Sequence, residues 1–369
     1  VGGGEIYTRW FTRALARAGA AVTLYVDRKN AFWNDLAGER IEVVPVTSGD
    51  DIARMLPEKN ALVLTQSGIP EALAELAHRD HVLTGFAHMP MLGRSAAGFA
   101  RYAAVFTVSR YCVDLLRNAG IRQVYPEPMY GTGELARPDR GGEPVHAGSP
   151  YHWDRRKGRD RLLSVLEPVA NAFKSRPAYH RKPGLTLGIV SLLSPIKQFP
   201  ELFTLLAPEM ARFPQVNLEI FGNGGYAQVR DLRRALAPIA QNVRFWGYQP
   251  SVQGIYHSLD YLMTGLPEKE ALGLNALEAQ AEGTPVLAPD GPPFTETILP
   301  EKSGFLYRDP RLDGGADFAR LLASLVEGRT RPDPRKATGH LANFSFDAMT
   351  LRTETALAYL KREFPEACL

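Results

Sequence analysis

The chain alternates short, β-rich apolar runs with stretches of helical periodicity, and it does so in two separate rounds. No other feature constrains the fold as much. Strands separated by helices pair in parallel, and a parallel sheet must be covered on both faces. In the first round Ile6, Trp10, Phe11, Ala14 and Leu15 recur at helical spacing, which predicts a helix over 5–18 with Gly19 as its stop. Strands are expected at AVTLYV (21–26), IEVVPV (41–46), ALVLTQ (61–66), VLTGFA (82–87) and AAVFTVS (103–109), with helices at 70–77 and 110–118.

Residues 125–183 break this rhythm. They hold a Pro- and Gly-rich segment, a basic stretch at 154–161 (Arg155, Arg156, Lys157, Arg159, Arg161) and a helical run at 162–173 interrupted by Pro168. The second round begins at 185. It places strands at 185–193, 216–222, 243–247, 259–265 and 284–289, and helices at 198–212, 227–238, 251–258 and 273–283. A last helix is predicted over 345–364 after a Pro- and Arg-rich linker. The expected organisation is a first Rossmann-like domain over 1–183, with an interdomain segment from about 125, a second over 184–344, and a C-terminal helix over 345–369. Two doubly wound parallel sheets facing a cleft would hold a donor on one side and an acceptor on the other.

Composition removes several classes of function. A net charge of +3 is too small to argue for nucleic acid. Cys112 and Cys368 lie far apart and in no metal-ligand spacing, which suits a reduced, cytoplasmic compartment. No apolar run approaches the roughly 20 residues that span a bilayer. The basic stretch would suit the inner membrane face or an acidic acceptor, although a solvated interdomain surface is the more ordinary reading. The chain opens at Val1, so the lack of a leader there carries little weight. It has neither an Asp-x-Asp pair nor a His/Cys cluster of ligand spacing, so the expected chemistry uses no metal or other cofactor.

The segment EALGLNALEAQAEGTPVLAPDG (270–291) carries the chemistry. Glu270 falls in a loop after a strand, and Gly273 leads into a helix that starts near Leu274. A helix N-terminus offers unpaired N–H groups and positive dipole character, which suits phosphate, and glycine lets the backbone approach closely. Glu278 lies one turn into that helix, too far in to cap it, and is embedded in an apolar run where a solvated carboxylate is not expected. Carboxylates accept pairs of hydrogen bonds and can hold vicinal hydroxyls. The layout is hydroxyl binding, phosphate binding, then hydroxyl binding again, which is the order of groups in a nucleoside-diphosphate sugar. Spacing alone proves little, since glutamates eight apart on a helix are usually solvated.

This segment resembles the E-x7-E signature of family 4 glycosyltransferases, retaining enzymes of the GT-B fold. VGGGE (1–5) resembles their N-terminal glycine loop, SLLSPIKQF (191–199) a phosphate-binding turn, and LEIFGNGG (218–225), VRFWGY (243–248) and KSGFLYRD (302–309) later segments of the second domain. The resemblance covers most of 184–310 and is patchier before 125. It implies that the last helix crosses back to the first domain. It further implies that Glu270 binds donor sugar hydroxyls, and that Gly273, Leu274 and Asn275 place amides on the diphosphate. Glu278 would bind the ribose, and Lys197 would neutralise the leaving diphosphate. By the same resemblance Gly3 and Gly4 approach phosphate or acceptor, and His88 in GFAHMP lies beside the reacting sugar. The donor would be a nucleotide sugar and the acceptor a glycan, a lipid-linked group, a protein or a small molecule.

Departures from the pattern are Leu192 where the family usually has an arginine, Leu266-Pro267 and Ala271-Leu272 around Glu270, and Gly291-Pro292-Pro293. Losing the arginine removes a bidentate phosphate contact. The alternative function is therefore a non-catalytic relative that binds nucleotide sugars or acts as a partner subunit. Epimerase or phosphorylase chemistry fits the E-x7-E context less well. GGGE is not a G-x-G-x-x-G, which turns the reading away from a nicotinamide dehydrogenase. The glycine loop normally follows a central strand, so either that strand lies upstream of Val1 or the first sheet has an unfilled slot.

Overall fold

The computed structural model describes residues 2–27, 31–57, 60–66, 81–93, 95–133, 145–153, 158 and 178–367. The predicted helices at 70–77 and 162–173, the basic stretch apart from Gly158, Pro168, Val1 and Cys368 lie outside these residues. The chain divides into two compact units, Val1–Leu135 with Ala342–Leu369, and Ala136–Leu341.

The first unit opens with α1 (Gly3–Arg17), which buries Tyr7, Trp10, Phe11 and Ala14 on one face. Gly19 ends it at φ +95°, a left-handed conformation that glycine adopts without strain. β1 (Val22–Asp27) pairs in parallel with β2 (Ile41–Val46), Val22 opposite Ile41. After α2 (Gly49–Met55) come β3 (Leu62–Thr65), β4 (Val82–Ala87) and β5 (Ala104–Thr107), a three-stranded parallel sheet with β4 central and buried throughout. Ser109 starts α3 (Arg110–Asn118), its hydroxyl accepting from the Cys112 amide at 3.2 Å. Among the described residues the strands of this unit thus form two separate parallel sheets, of two and three strands.

The second unit is one continuous sheet. Its strands are β6 (Leu185–Val190), β7 (Val216–Phe221), β8 (Val243–Gly247), β9 (Tyr261–Met263), β10 (Val286–Pro289) and β11 (Gly304–Tyr307), in spatial order β11-β10-β9-β6-β7-β8, all parallel. Between them run α4 (Phe199–Met210), α5 (Tyr226–Ala235), α6 (Gln253–His257) and α7 (Leu274–Ala281), and α8 (Ala316–Val326) follows β11. Leu187, Ile189, Leu218 and Ile220 face one core layer with Phe203 and Leu206 of α4 and Leu322 of α8. Val190, Phe221, Leu262 and Val286 face the other, with Tyr256 of α6 and Ala276 and Ala279 of α7. Strand order reverses between β6 and β9, which makes their carboxyl ends the switch point where such sheets take ligands.

Two features differ from the sequence reading. β11 and α8 extend the second alternation beyond 289, because a four-residue strand such as GFLY carries too little periodicity to stand out. The described part of 136–183, drawn with the first domain in the sequence, groups with the second unit. Its backbone supplies the reason. Gly148 N donates to Trp246 O at 2.8 Å, His152 N donates to Gly224 O at 2.7 Å, and Tyr179 packs edge-on against Trp246. The last helix, α9 (Phe346–Glu363), packs against α1 in the first unit, with Phe346 edge-on to Trp10 at 5.4 Å.

Candidate active site

In the second unit the loops after β6 and β9 meet at the switch point. Gly265, just past β9, makes the approach feasible, since a Cβ there would lie 1.8 Å from the Lys197 carbonyl oxygen. The Leu266 amide donates to that same oxygen at 3.3 Å. Across this junction the Lys197 ammonium forms an ion pair with Glu270 Oε2. The other carboxylate oxygen, Oε1, accepts from the amides of Ala271 and Gly273, both at 3.2 Å. Burial by itself pushes the Glu270 carboxyl up; the Lys197 charge, its hydrogen bond and the two amides outweigh burial and hold it below the usual range. Glu270 is thus an anion pinned on both oxygens.

Gly273 sits at φ +78° as the N-cap of α7, and a Cβ there would lie 3.0 Å from the Phe294 ring. Leu274 and Asn275 are the first two residues of the helix, where the helix itself supplies no carbonyl for their amides, while the Ala276 amide already donates to Gly273 O. The Asn275 side chain adds a tie that the sequence did not suggest: its Nδ2 donates to Val190 O, the end of β6, at 3.1 Å. It thereby moors the helix N-terminus to the central strand. Glu278 is half-buried, and its Oε2 accepts from the Tyr256 hydroxyl at 2.9 Å. Burial, then the Glu278 charge, hold the Tyr256 phenol well above its ordinary range, so it stays a donor. Tyr256 went unnoticed in the sequence because nothing in its spacing links it to Glu278. Leu192, just beyond β6, is 49% exposed.

The remaining candidates lie in the first unit. His88 follows β4, stacks on Phe86 at 4.7 Å between centroids and meets Tyr7 edge-on at 5.3 Å. Its Nε2 lies 3.1 Å from Gln66 Oε1, which also accepts from the Thr8 hydroxyl. Burial lowers the His88 pKa to about 4, although Glu5 pulls the other way, so the ring is neutral at pH 7. Gly3 and Gly4 form the exposed first turn of α1, where Glu5 reaches back to accept from the Gly2 amide at 2.8 Å. The structure therefore brings Lys197, Glu270, Gly273, Leu274 and Asn275 together, with Glu278 on the same helix. His88 and the α1 N-terminus converge in the other unit through Tyr7, Thr8 and Glu5. Among the described residues no cluster of His, Cys, Asp or Glu is arranged to hold a metal, and no helix is long and apolar enough to cross a membrane.

The chain has the GT-B fold, with parallel strands in each unit and, in the second, an ion pair and a helix N-terminus at the switch point. The comparisons agree. Residues 175–339, within the second unit, match the family of glycosyl transferases group 1. The chain is 25% identical to D-inositol 3-phosphate glycosyltransferase of Segniliparus rotundus, over 94% of this chain and 82% of that one. It is 30% identical to a GDP-mannose-dependent monoacylated alpha-(1-6)-phosphatidylinositol monomannoside mannosyltransferase of Corynebacterium glutamicum, over 45% of each chain. In fold it resembles Anabaena HepE, solved with UDP-glucose, at a TM-score of 0.67 and 15% identity over 98% and 97% of the two chains. Sucrose-phosphate synthase of Thermosynechococcus elongatus superposes with a TM-score of 0.64 at 17% identity, over 98% of this chain and 94% of that one.

Proposed function

We propose that the protein is a retaining glycosyltransferase that moves a hexose from a nucleoside-diphosphate sugar to an acceptor hydroxyl. The observation that carries this reading is the Lys197–Glu270 pair beside the open first turn of α7. In the free protein Lys197 neutralises Glu270. With donor bound, the ammonium turns to the diphosphate, where the amides of Leu274 and Asn275 add their dipoles. Glu270, released from its cation, accepts from hydroxyls of the sugar. Glu278, positioned by the Tyr256 hydroxyl, binds the ribose hydroxyls. The positive charge that the leaving group needs comes from Lys197 and the helix, so the reaction runs without a metal. The departing phosphate takes the acceptor proton on the face it leaves, which retains the anomeric configuration. Within the first unit, the neutral His88 held by Gln66 and the exposed Gly3 and Gly4 are that unit's own candidate contacts for a substrate.

The HepE complex with UDP-glucose favours a nucleotide-sugar donor, and the relatives' names make a polyol phosphate the acceptor to try first. Thermal-shift screening with UDP, GDP, ADP and their sugars tests the donor site. Protection is expected from one base series and should be largely lost in Glu278→Ala. Equal protection in that variant would reject this placement of the nucleotide. Product anomericity by NMR tests retention, and full activity in EDTA tests metal independence. Leu192, an exposed apolar side chain where a cation would grip phosphate, favours a second reading: a non-catalytic nucleotide-sugar binder. Binding without turnover across a wide acceptor panel would support it.

A further inference from the structure

Gln198, the residue after Lys197, has φ 52° and ψ 33°. A side chain other than glycine is strained in that left-handed region, and such strain gathers at functional sites. Gln198 is also only 7% exposed. Its Nε2 donates to Glu268 Oε1 at 2.9 Å, while its own Oε1 is buried with no hydrogen-bond partner among the described residues. Strain and an unpaired buried acceptor both cost stability, and a glycine would avoid both. The compensation lies in what Gln198 reaches. Glu268, two residues before Glu270, is held by both terminal guanidinium nitrogens of Arg311, at 2.7 and 3.0 Å. Arg311 is fixed in turn by Asp309, whose oxygens lie 3.0 and 3.1 Å from its Nε. Asp309 also caps the short helix Pro310–Asp313 by accepting from the Arg311 amide at 2.9 Å. Burial alone would raise the Glu268 carboxyl; Arg311 and Gln198 outweigh it and keep it ionised.

Among the described residues three ties can be named between the loop after β6 and the loop after β9. One is backbone, Leu266 N to Lys197 O. One is the Lys197–Glu270 pair itself. The third is the Gln198–Glu268 bond, anchored by Arg311. We propose that Gln198, Glu268 and Arg311 are a positioning relay that keeps Lys197 and Glu270 in register, including when a diphosphate draws Lys197 away from Glu270. This rests on the donor-site reading above, and it deepens that reading by giving the lysine loop a second, ligand-independent anchor.

The test uses Gln198→Gly, Glu268→Gln and Arg311→Lys in the full chain, with Arg212→Gln as a control that breaks an exposed ion pair elsewhere. Two quantities are read. The first is the labelling rate of Lys197 by an amine-specific acylating reagent, measured by mass spectrometry on the ligand-free protein. The second is calorimetric affinity for UDP and GDP. Gln198→Gly should label Lys197 several times faster and weaken diphosphate binding about 5- to 20-fold, as misplacement of a positioned group does. Its melting temperature should hold or rise, because backbone strain is relieved. Glu268→Gln and Arg311→Lys should shift labelling and affinity in the same direction by less. A merely structural bridge would do the reverse, lowering the melting temperature with labelling and affinity unchanged, and that result overturns the relay. If the relay variants expose Lys197 and yet neither diphosphate binds the parent protein, the relay stands and the donor reading falls.

Discussion

In the second unit Lys197 and Glu270 meet as an ion pair at the ends of two neighbouring strands, whereas in the first unit His88 lies neutral against Tyr7 and Phe86. Both sites are largely buried, yet burial has opposite results. Glu270 stays charged because a cation and two backbone amides reach it; the imidazole loses its proton because desolvation outweighs the pull of the Glu5 carboxylate. The underlying sheets differ in the same sense. A continuous six-stranded sheet delivers two loops to one switch point, while the described strands of the first unit form sheets of two and three. Charge is kept where the scaffold brings several partners to one place.

The largest effect should follow removal of the cation. Lys197→Ala is expected to lower transfer by at least about 100-fold, the scale of losing one preorganised electrostatic contact. It also leaves the buried Glu270 charge without its cation, held only by two backbone amides, a loss of roughly 3 kcal/mol measurable by urea unfolding. Activity within a few-fold of the parent would break the view of the second unit as the charge-handling half. Next comes Glu278→Ala, which strands the buried Tyr256 hydroxyl and should cost about 1–3 kcal/mol. Adding Tyr256→Phe should recover part of that loss, and strictly additive effects would mean the two groups are not coupled.

Acid should separate the units. The folded-state pKa of His88, about 4, lies below its unfolded value of about 6.5. The neutral ring's contribution is therefore present above about 6.5 and is lost as pH falls toward 4, at about 1.4 kcal/mol per pH unit. Glu270 is also depressed, so its contribution is present above about 4.3 and is lost only as pH falls through its still lower folded value. Hydrogen exchange should show β4 amides weakening between pH 6.5 and 5 while β6 amides hold, and His88→Leu should abolish that difference. Uniform weakening of both sheets would erase the contrast. The smallest effect is expected from Asn275→Ala. Losing its bond to Val190 O should cost about 1 kcal/mol and loosen diphosphate binding without changing acceptor selectivity. Unaltered affinity would show that the α7 N-terminus needs no mooring.

Much of the fold was legible because it is local. The amphipathic face of α1, the stop at Gly19, the start of α7 after Gly273 and the alternation itself all follow from periodicity and from φ values that only certain residues tolerate. Lys197 was reached through resemblance rather than pattern. Gln198, Glu268, Arg311 and Tyr256 were not legible, since ordinary polar residues at unremarkable spacings carry no signal of what they will touch.

The sequence by itself determined which segments become strands and helices, that the strands lie parallel, and that a glutamate, a glycine and a helix start stand in order at 270–274. Only the tertiary structure decided the partners. Lys197 and Glu270 are 73 residues apart and meet because β9 crosses back to lie beside β6. Residues 145–153 join the second unit because their backbone finds partners at Trp246 of β8 and at Gly224 in the loop after β7, and α9 joins the first because Phe346 finds Trp10. Local preferences are short-range and additive along the chain, whereas strand order is set by the whole set of faces that must be buried at once. For that reason the same residues spell out the elements and stay silent about which loops will meet.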